Sequence, residues 1–297
     1  MTIASYFARE VRLGEIPVLR ALPAIGRRTI GPWCFIDRFG PLSFTDARPM
    51  DVAPHPHMGL QTITWLLEGE IVHDDSLGSE ALLRPGGLNV MTSGAAIAHA
   101  EQTPRAHTGH LHGVQLWTAL PESHRHGSPS FQHLAEVPMA EWPGGIARIF
   151  SGSVGGVASA APHVSPIVGA DLQVHPTSRL SIPMDASYEH GVLILSGDAA
   201  IDDQPLEART LYYIEPGRAE ATVSSRDGAR VLLIGGAPFQ ERILMWWNFV
   251  ARTPEEIRAA REEWTEHRRF GEVTAYRGAR LEAPELTTRL AAPNPVS

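Results

Sequence analysis

Two hydrophobic patterns divide the chain into a long part with a period near two and one segment with a helical period. Between residues 54 and 102, apolar runs such as Leu60–Leu67 alternate with turn residues such as Glu68-Gly69-Glu70. The β-branched and aromatic residues from Thr62 to Trp65 favour strands. Residues 1–50 also consist of short apolar runs separated by Gly-Pro turns. The pattern predicts an all-β protein built from hairpins.

The exception is residues 253–270, where the pattern predicts one short C-terminal helix. Thr253 can cap the helix, Pro254 suits its first position, and Glu256 completes a capping box. An apolar stripe at helical spacing is formed by Ile257, Ala260 and Trp264. Because arginines flank this narrow stripe, we expect the helix to pack on a surface, and Gly271 to end it. Residues 291–297 are expected to be frayed.

A weak internal repeat predicts two copies of one barrel. Leu193–Asp198 followed by Tyr213–Gly217 repeats the order of Leu66–Glu70 followed by Leu83–Gly86, in which an apolar strand precedes a Gly-acid turn and a Pro-Gly pair follows. Residues 131–143 look like a connector. We therefore predict an N-terminal barrel over residues 1–133 and a C-terminal barrel, with the helix, over 134–297.

Two pairs of residues at strand spacing carry the candidate chemistry. His55 and His57 form one pair, and His99 and Glu101 form the other. Alternate residues of a strand point to the same face, so each pair projects together. If the hairpins between them bring the two strands side by side, three imidazoles and one carboxylate meet. That ligand set suits iron, nickel, copper or zinc.

Two other interpretations of the histidines stay open. The four residues could simply line a polar barrel mouth and satisfy one another. Alternatively, a second cluster of His107, His110 and His112 could bind the metal, since the last two share a strand face. No carboxylate lies at matching spacing in that cluster, so we rank it lower. The second barrel has no His-x-His pair, and we expect it to be metal-free.

The same stretch resembles the pirin family. The motifs that carry the resemblance are His55-Pro-His57-Met-Gly-Leu-Gln-Thr-Ile-Thr-Trp-Leu-Leu-Glu-Gly-Glu, His73-Asp-Asp-Ser-Leu-Gly78, Pro85-Gly-Gly-Leu-Asn-Val-Met-Thr-Ser-Gly94, His99-Ala-Glu101, Leu111–Trp117, Arg27–Pro41 and Trp246–Arg258. Together they span most of the chain. Pirins are two-barrel members of the cupin superfamily, so the resemblance implies two packed cupin-type (jelly-roll) barrels.

The resemblance also implies a function. It makes His55, His57, His99 and Glu101 the ligands of one divalent metal ion, usually Fe(II), while nickel, copper, manganese or zinc would also suit these ligands. Some pirins cleave flavonols such as quercetin with dioxygen, as quercetin 2,3-dioxygenases. Glu101, the only carboxylate of the set, is then the candidate catalytic base as well as a ligand of the metal that binds the substrate oxygen.

Four further residues are expected to line the substrate pocket. Strand alternation would put Gln61 on the face of His55 and His57, where many cupins carry glutamate instead. A glutamine cannot act as a base, so the departure would weaken turnover or alter the substrate. Met91 and Trp117 are expected to hold a flat aromatic ring, and His112 to stand behind the metal ligands. Trp246, Trp247 and Phe249 are assigned to packing.

Composition narrows the partners. The net charge of −8 argues against a nucleic-acid-binding surface, and no apolar run reaches the ~20 residues that span a bilayer. All 25 basic residues are arginine, which excludes lysine Schiff-base chemistry. The single cysteine, Cys34, has apolar neighbours and is expected to be a buried, inert thiol. One cysteine and no signal-peptide pattern predict a cytoplasmic protein.

Two function classes remain open at this point. The first is an oxygen-dependent oxidoreductase that acts on a small aromatic substrate. The second is a metal-binding regulatory protein with a protein partner and without turnover, as the resemblance to animal pirins implies. A metal-free relic is a third, blander alternative.

Overall fold

The computed structural model describes residues 3–14, 16–46 and 48–286 and contains strands throughout, with one α-helix. The all-β prediction with a single C-terminal helix is confirmed. The expectation for residues 291–297 lies outside the described residues. Within the described part, no helix is both long and apolar enough to cross a membrane.

The first half of the chain supplies twelve strands. They are β1 (Ile3–Phe7), β2 (Arg9–Leu13), β3 (Ile16–Leu22), β4 (Trp33–Ser43), β5 (Asp51–His57), β6 (Leu60–Glu68), β7 (Ile71–Asp75), β8 (Glu80–Leu83), β9 (Leu88–Thr92), β10 (Ile97–Gln102), β11 (His110–Ala119) and β12 (Ser130–Leu134).

The second half supplies thirteen strands and the helix. They are β13 (Met139–Trp142), β14 (Gly145–Val154), β15 (Val157–Ala158), β16 (Ile167–Val174), β17 (Ser178–Pro183), β18 (Glu189–Gly197), β19 (Ala200–Ile201), β20 (Gln204–Pro205), β21 (Thr210–Ile214), β22 (Glu220–Ser225), β23 (Ala229–Gly236), β24 (Leu244–Trp246), β25 (Phe249–Ala251) and α1 (Pro254–Thr265).

Each half forms a large sheet and a small sheet. In the first half, the large sheet has the order β12-β9-β6-β11-β4-β3-β2 and the small one the order β5-β10-β7-β8. In the second half, the corresponding orders are β1-β21-β18-β23-β16-β14-β13, with β15 beside β14, and β17-β22-β19-β20. All pairings between these strands are antiparallel. The two halves therefore repeat one two-sheet architecture.

The two barrels are joined by a continuous apolar core between their large sheets. Ile63 and Trp65 on β6 and Phe150 on β14 belong to this cluster, together with residues of β18, β21 and β23. The Trp65 indole donates to Asp171 Oδ2 across the junction at 2.9 Å. Because alternate β6 residues point toward this core, the residues between them face the inside of the first barrel.

Strand β1 and the segment from β24 to α1 each pack on the barrel formed by the other half of the chain. Strand β1 pairs with β21, so it extends the large sheet of the second barrel. In the other direction, β24, β25 and α1 pack on the first barrel, where Ile257, Ala260 and Trp264 belong to the same buried cluster as Ala98 and Ala100 of β10. The predicted boundary between residues 133 and 134 remains a prediction. Strand β1 and the segment from β24 to α1 lie on the other side of this boundary from the barrel that each of them joins.

The helix begins as the sequence indicates and ends early. Thr253 caps it, and its side chain accepts a hydrogen bond from the Glu256 backbone. The buried stripe is the one predicted, and the helix lies on the outside of a barrel. It ends at Thr265 rather than near residue 270, because His267 and Arg269 both take positive φ and turn the chain before Gly271.

The predicted internal repeat is correct in its first element only. Strands β6 and β18, which end in the two Gly-acid turns, occupy equivalent positions in their sheets. The two Pro-Gly pairs do not correspond, since Pro85-Gly86 precedes β9, whereas Pro216-Gly217 follows β21. Cys34 is fully buried as expected, and burial raises the pKa of its thiol to about 12.

Candidate metal centre

Strands β5 and β10 bring the two predicted pairs together. The strands are antiparallel neighbours in the small sheet of the first barrel, and His99 lies opposite His55. A bulge between His99 and Glu101 shifts the register by one residue. The four side chains are all buried, with exposed fractions of 6% or less. The two pairs therefore lie side by side on one sheet.

The three imidazoles of His55, His57 and His99 converge on one point. Their ligand nitrogens all lie within 4.8 Å of one another. Nε2 of His57 is 3.0 Å from Nε2 of His99, and the ring of His55 is centred 4.4 Å from that of His99. Such spacing matches nitrogens that share one ion, because metal–nitrogen bonds are about 2.1 Å long.

Glu101 stands on the inner side of this group. Its carboxylate lies within 4.8 Å of ligand nitrogens of His99 and His73, so His99 links the two groups. The Thr64 hydroxyl is 3.1 Å from Glu101 Oε1 and 3.0 Å from Gln115 Oε1, and its single proton can be donated to either. Burial raises the pKa of the Glu101 carboxyl above its ordinary value.

The donor atoms fit a divalent cation. Burial lowers the pKa of His55 to about 4 and those of His57 and His99 well below their ordinary value, so all three are neutral at pH 7. His55 Nδ1 donates to the Ala53 carbonyl at 2.9 Å, which leaves a lone pair on Nε2. Metal-bound histidines are typically held by such a bond. The first barrel thus contains a His/Glu site able to hold a metal ion.

A cavity of about 320 Å³ opens onto this site. It is lined by Leu13, Arg20, Phe35, Asp37, Phe39, Val52, His55, His57, His99, Glu101, Gln115, Trp117, Trp247, Asn248 and Leu281. The volume lies at the lower end of the ~300–1,000 Å³ typical of small-molecule pockets. The candidate metal ligands therefore lie in the wall of a cavity of ligand size.

One wall of the cavity is a stack of flat groups. Trp117 stacks on Phe35 with ring centroids 3.9 Å apart, and it makes an edge-to-face contact with His57 at a centroid distance of 5.2 Å. On the far side of Phe35, the Arg20 guanidinium lies 4.5 Å from the ring centroid. Trp117, which the sequence places in the pocket, is therefore there and presents a flat face beside the histidines.

Gln61 is not at the predicted place. Strands β5 and β6 lie in different sheets, and the chain passes from the small sheet to the large sheet at Gly59, which has φ +73°. The alternation along β5 therefore does not continue from His57 to Gln61. The Gln61 amide donates to Thr92 Oγ1 at 2.8 Å and to the Pro162 carbonyl at 3.2 Å. It points toward the barrel junction, and the cavity wall does not include it. The absence of a glutamate at position 61 therefore leaves the charge of the cavity unchanged.

Met91 and His112 also lie outside the cavity wall. Met91 is paired with Thr62 and buried behind the site. His112 lies on the opposite face of β11 from Gln115 and Trp117 and is buried close to Arg38 and Arg230, which together with burial lower its pKa to about 4. Neither side chain lines the cavity as predicted: alternation along β11 turns His112 toward the other face, whereas Met91 shares the face of Thr62 and does not reach the cavity.

The rival histidine cluster does not assemble. His110 is exposed and within 3.3 Å of Ser43 Oγ, and His107 Nδ1 accepts from the Gly109 backbone. Among the described residues, the groups that could hold a metal ion are the two in the first barrel.

Several residues of the site were not predicted from the sequence. His73 and Asp75 on β7 have the same two-residue spacing as the predicted pairs, and this signal could have revealed them. Asp37 lines the cavity as well: it is buried and accepts two hydrogen bonds from Arg20, at 2.8 and 2.7 Å. Trp247 lines the cavity rather than only packing.

Two joined β-barrels, one of which holds buried histidines and a glutamate at its rim, define a two-barrel cupin protein. Comparison with known families agrees: residues 15–118 match the Pirin family model, and residues 169–271 match that of the Pirin C-terminal cupin domain. The chain belongs to the pirin family.

Individual relatives cover nearly the whole chain. A Pseudomonas aeruginosa protein named provisionally as a quercetin 2,3-dioxygenase is 40% identical over 278 residues, which are 93% of this chain and 88% of that protein. A pirin-like protein of Caulobacter vibrioides is 36% identical over 86% of this chain and 91% of its own. The crystal structure of quercetin 2,3-dioxygenase from Acinetobacter baumannii matches with a TM-score of 0.94 and 41% identity, over 98% of this chain and 97% of that one. The chain is thus similar in sequence and fold to quercetin dioxygenase-like oxidoreductases.

Proposed function

We propose that this protein is a metal-dependent dioxygenase that cleaves a flavonol such as quercetin. The observation that carries the proposal is the juxtaposition of three buried neutral imidazoles and Glu101 with a cavity that has a flat aromatic wall. The similarity to proteins named quercetin 2,3-dioxygenase supports the same substrate class.

We assign His55, His57, His99 and Glu101 as the ligands of one divalent ion. Fe(II) is the first choice, and nickel, copper, manganese and zinc also suit the site, because imidazole and carboxylate ligands accept them all. The ion, when bound, supplies Lewis acidity toward a substrate oxygen and the means to activate dioxygen. The remaining steps belong to the side chains around it.

Glu101 is the candidate base for the acidic hydroxyl of the substrate. It is the carboxylate among the assigned ligands, and it lines the cavity that the substrate would enter. A proton taken from the substrate hydroxyl would reside on Glu101, and the Thr64 hydroxyl, 3.1 Å from Oε1, helps to fix the carboxylate orientation. General base catalysis of this kind contributes about 10²–10⁴-fold in rate.

The aromatic wall orients the substrate. Trp117 is 6% exposed, and its contacts with Phe35 and His57 hold its ring in place. A planar ring laid against this face would lie next to the assigned ligands and would exclude water from them. Trp247, half-buried at the same cavity, offers a second flat group.

The test is oxygen consumption with quercetin. Protein loaded with iron, nickel, copper or manganese is mixed with quercetin, while an oxygen electrode and the flavonol absorbance are followed together. We expect oxygen uptake coupled to loss of flavonol with at least one of the metals and none with metal-free protein. His55→Ala should abolish the reaction, whereas His110→Ala, at an exposed histidine outside the cavity, should not change it.

An absence of uptake with all four metals would overturn the enzymatic proposal. The same preparations then test the other class, a metal-binding regulatory protein. A protein partner retained by the metal-loaded chain and released by a chelator would favour that function.

A further inference from the structure

The structure points to a function for two buried residues that the reaction itself does not use. We propose that His73 and Asp75 are positioning residues that fix the tautomer of His99, so that its Nε2 lone pair faces the metal. The inference rests on the proposed metal ligation by His99. It concerns a chain of three side chains: Asp75, His73 and His99.

The chain is continuous at hydrogen-bond distance. Oδ2 of Asp75 is 3.1 Å from Nε2 of His73, and Nδ1 of His73 is 3.3 Å from Nδ1 of His99. All three side chains are at most 3% exposed. Across the strand pairing, His99 lies opposite Asp75 and Glu101 lies opposite His73, so the backbone itself sets this order.

The direction of each hydrogen bond follows from the carboxylate of Asp75, which is the first of the three side chains. A carboxylate only accepts, so His73 must carry its proton on Nε2. With a single proton on the His73 ring, Nδ1 has a lone pair and can only accept from His99. His99 therefore carries its proton on Nδ1 and keeps the lone pair of Nε2, the atom that lies 3.0 Å from Nε2 of His57.

Two observations show that the side chains of His73 and Asp75 are held firmly. The His73 ring stacks on Phe131, with centroids 4.1 Å apart and 7° between the planes. The other oxygen of Asp75, Oδ1, accepts from the backbone of Leu77 at 2.9 Å and of Ser79 at 3.0 Å. Asp75 thus cannot rotate without breaking the turn that follows β7.

This anchoring makes Asp75→Asn a directed test. The two turn amides will hold the asparagine carbonyl oxygen in the place of Oδ1, so the amide NH₂ will face His73 Nε2. Because that group donates, His73 must accept at Nε2 and carry its proton on Nδ1. The proton arrangement then inverts, and His99 is driven to carry its proton on Nε2, where it blocks the metal.

Metal affinity is the first readout, measured by competition between a chromogenic chelator and the full-length protein for zinc or Fe(II). We expect Asp75→Asn to weaken binding by about 10–100-fold, the usual effect of losing a group that supports a metal ligand. The matched control is Asp74→Asn, which removes the same charge one residue away on the other face of β7, and it should leave the affinity within twofold of wild type. Equal losses in the two variants would mean that charge alone matters and would overturn the inference.

The second readout is the tautomer itself. In zinc-loaded wild-type protein labelled with ¹⁵N at histidine, long-range proton–nitrogen spectra should place the His73 proton on Nε2 and the His99 proton on Nδ1. A His73 proton on Nδ1, or protons on both of its nitrogens, would overturn the inference without any variant. If Asp75→Asn does not fold, His73→Phe keeps the stack on Phe131, removes both nitrogens, and should also weaken metal binding by about tenfold or more.

The two proposals fail in different ways. Wild-type protein that binds no metal at this site would refute the ligand assignment. Wild-type protein that binds metal, with Asp75→Asn binding as tightly, would refute only the function of His73 and Asp75.

Discussion

Trp264 ties the C-terminal helix to the rim of the cavity, and its replacement by phenylalanine should loosen this segment alone. Its side chain is 2% exposed and packs edge-on against Phe270 at 5.8 Å. Its indole N–H donates to the Leu281 carbonyl at 2.8 Å, and the Arg280 guanidinium lies 4.0 Å from the indole ring. Leu281 in turn lines the cavity.

The size of the effect follows from the contacts that phenylalanine cannot make. The lost hydrogen bond contributes about 1 kcal/mol, and the weakened cation–π contact about 0.5–1 kcal/mol. Together they lower the free energy of local opening by about 2 kcal/mol, which corresponds to about 30-fold in the opening equilibrium.

Hydrogen exchange followed by mass spectrometry checks this value. Amides of α1 should exchange about 30-fold faster in Trp264→Phe than in wild type, whereas those of the second barrel should not change. Trp142→Phe, at a half-buried tryptophan of β13 in the second barrel, is the matched control and should leave α1 unaffected. A change of less than threefold in α1, or equal acceleration in both barrels, would show that Trp264 does not hold this segment.

Three further predictions concern single side chains. Glu101→Gln should keep the fold but lower the turnover of quercetin by about 10²–10⁴-fold, as measured by oxygen uptake, and a rate near that of wild type would exclude Glu101 as the base. Asp37→Asn leaves the Arg20 guanidinium without its anionic partner and should cost about 2–3 kcal/mol in a thermal unfolding experiment, less than for a fully buried pair because Arg20 is 27% exposed; an unchanged midpoint would contradict this. Thr253→Ala should cost about 1 kcal/mol through the lost helix cap, visible as faster exchange at Glu256, while Thr253→Ser should restore the wild-type rate.

Much of the site could be predicted from residue spacing. His55 and His57, like His99 and Glu101, lie two residues apart on strands, and strand geometry leaves them only one common face. Their meeting requires only that β5 and β10 be neighbours. The helix could also be predicted from the sequence, because its cap and its apolar stripe are local features.

The remainder depends on contacts that spacing does not contain. Gln61 does not share the face of His57, because the chain passes from one sheet to the other at Gly59 and strand alternation does not indicate that change. Trp247 and Leu281 lie more than 100 positions after the cavity residues that strands β2 to β11 supply. They reach the cavity because the chain returns to the first barrel. Strand β1 joins the second barrel for a similar reason, since its partner β21 begins at Thr210. Pairing between distant strands is set by tertiary packing and leaves no local pattern.

The proposed function depends on one metal ion held by His55, His57, His99 and Glu101 at the cavity. An anomalous-scattering map from crystals of the iron-loaded protein, recorded on both sides of the iron edge, would locate this ion. We expect a single peak about 2.1 Å from the three histidine nitrogens, with the Glu101 carboxylate as a further ligand. A peak elsewhere, or none between these side chains at full iron loading, would contradict it.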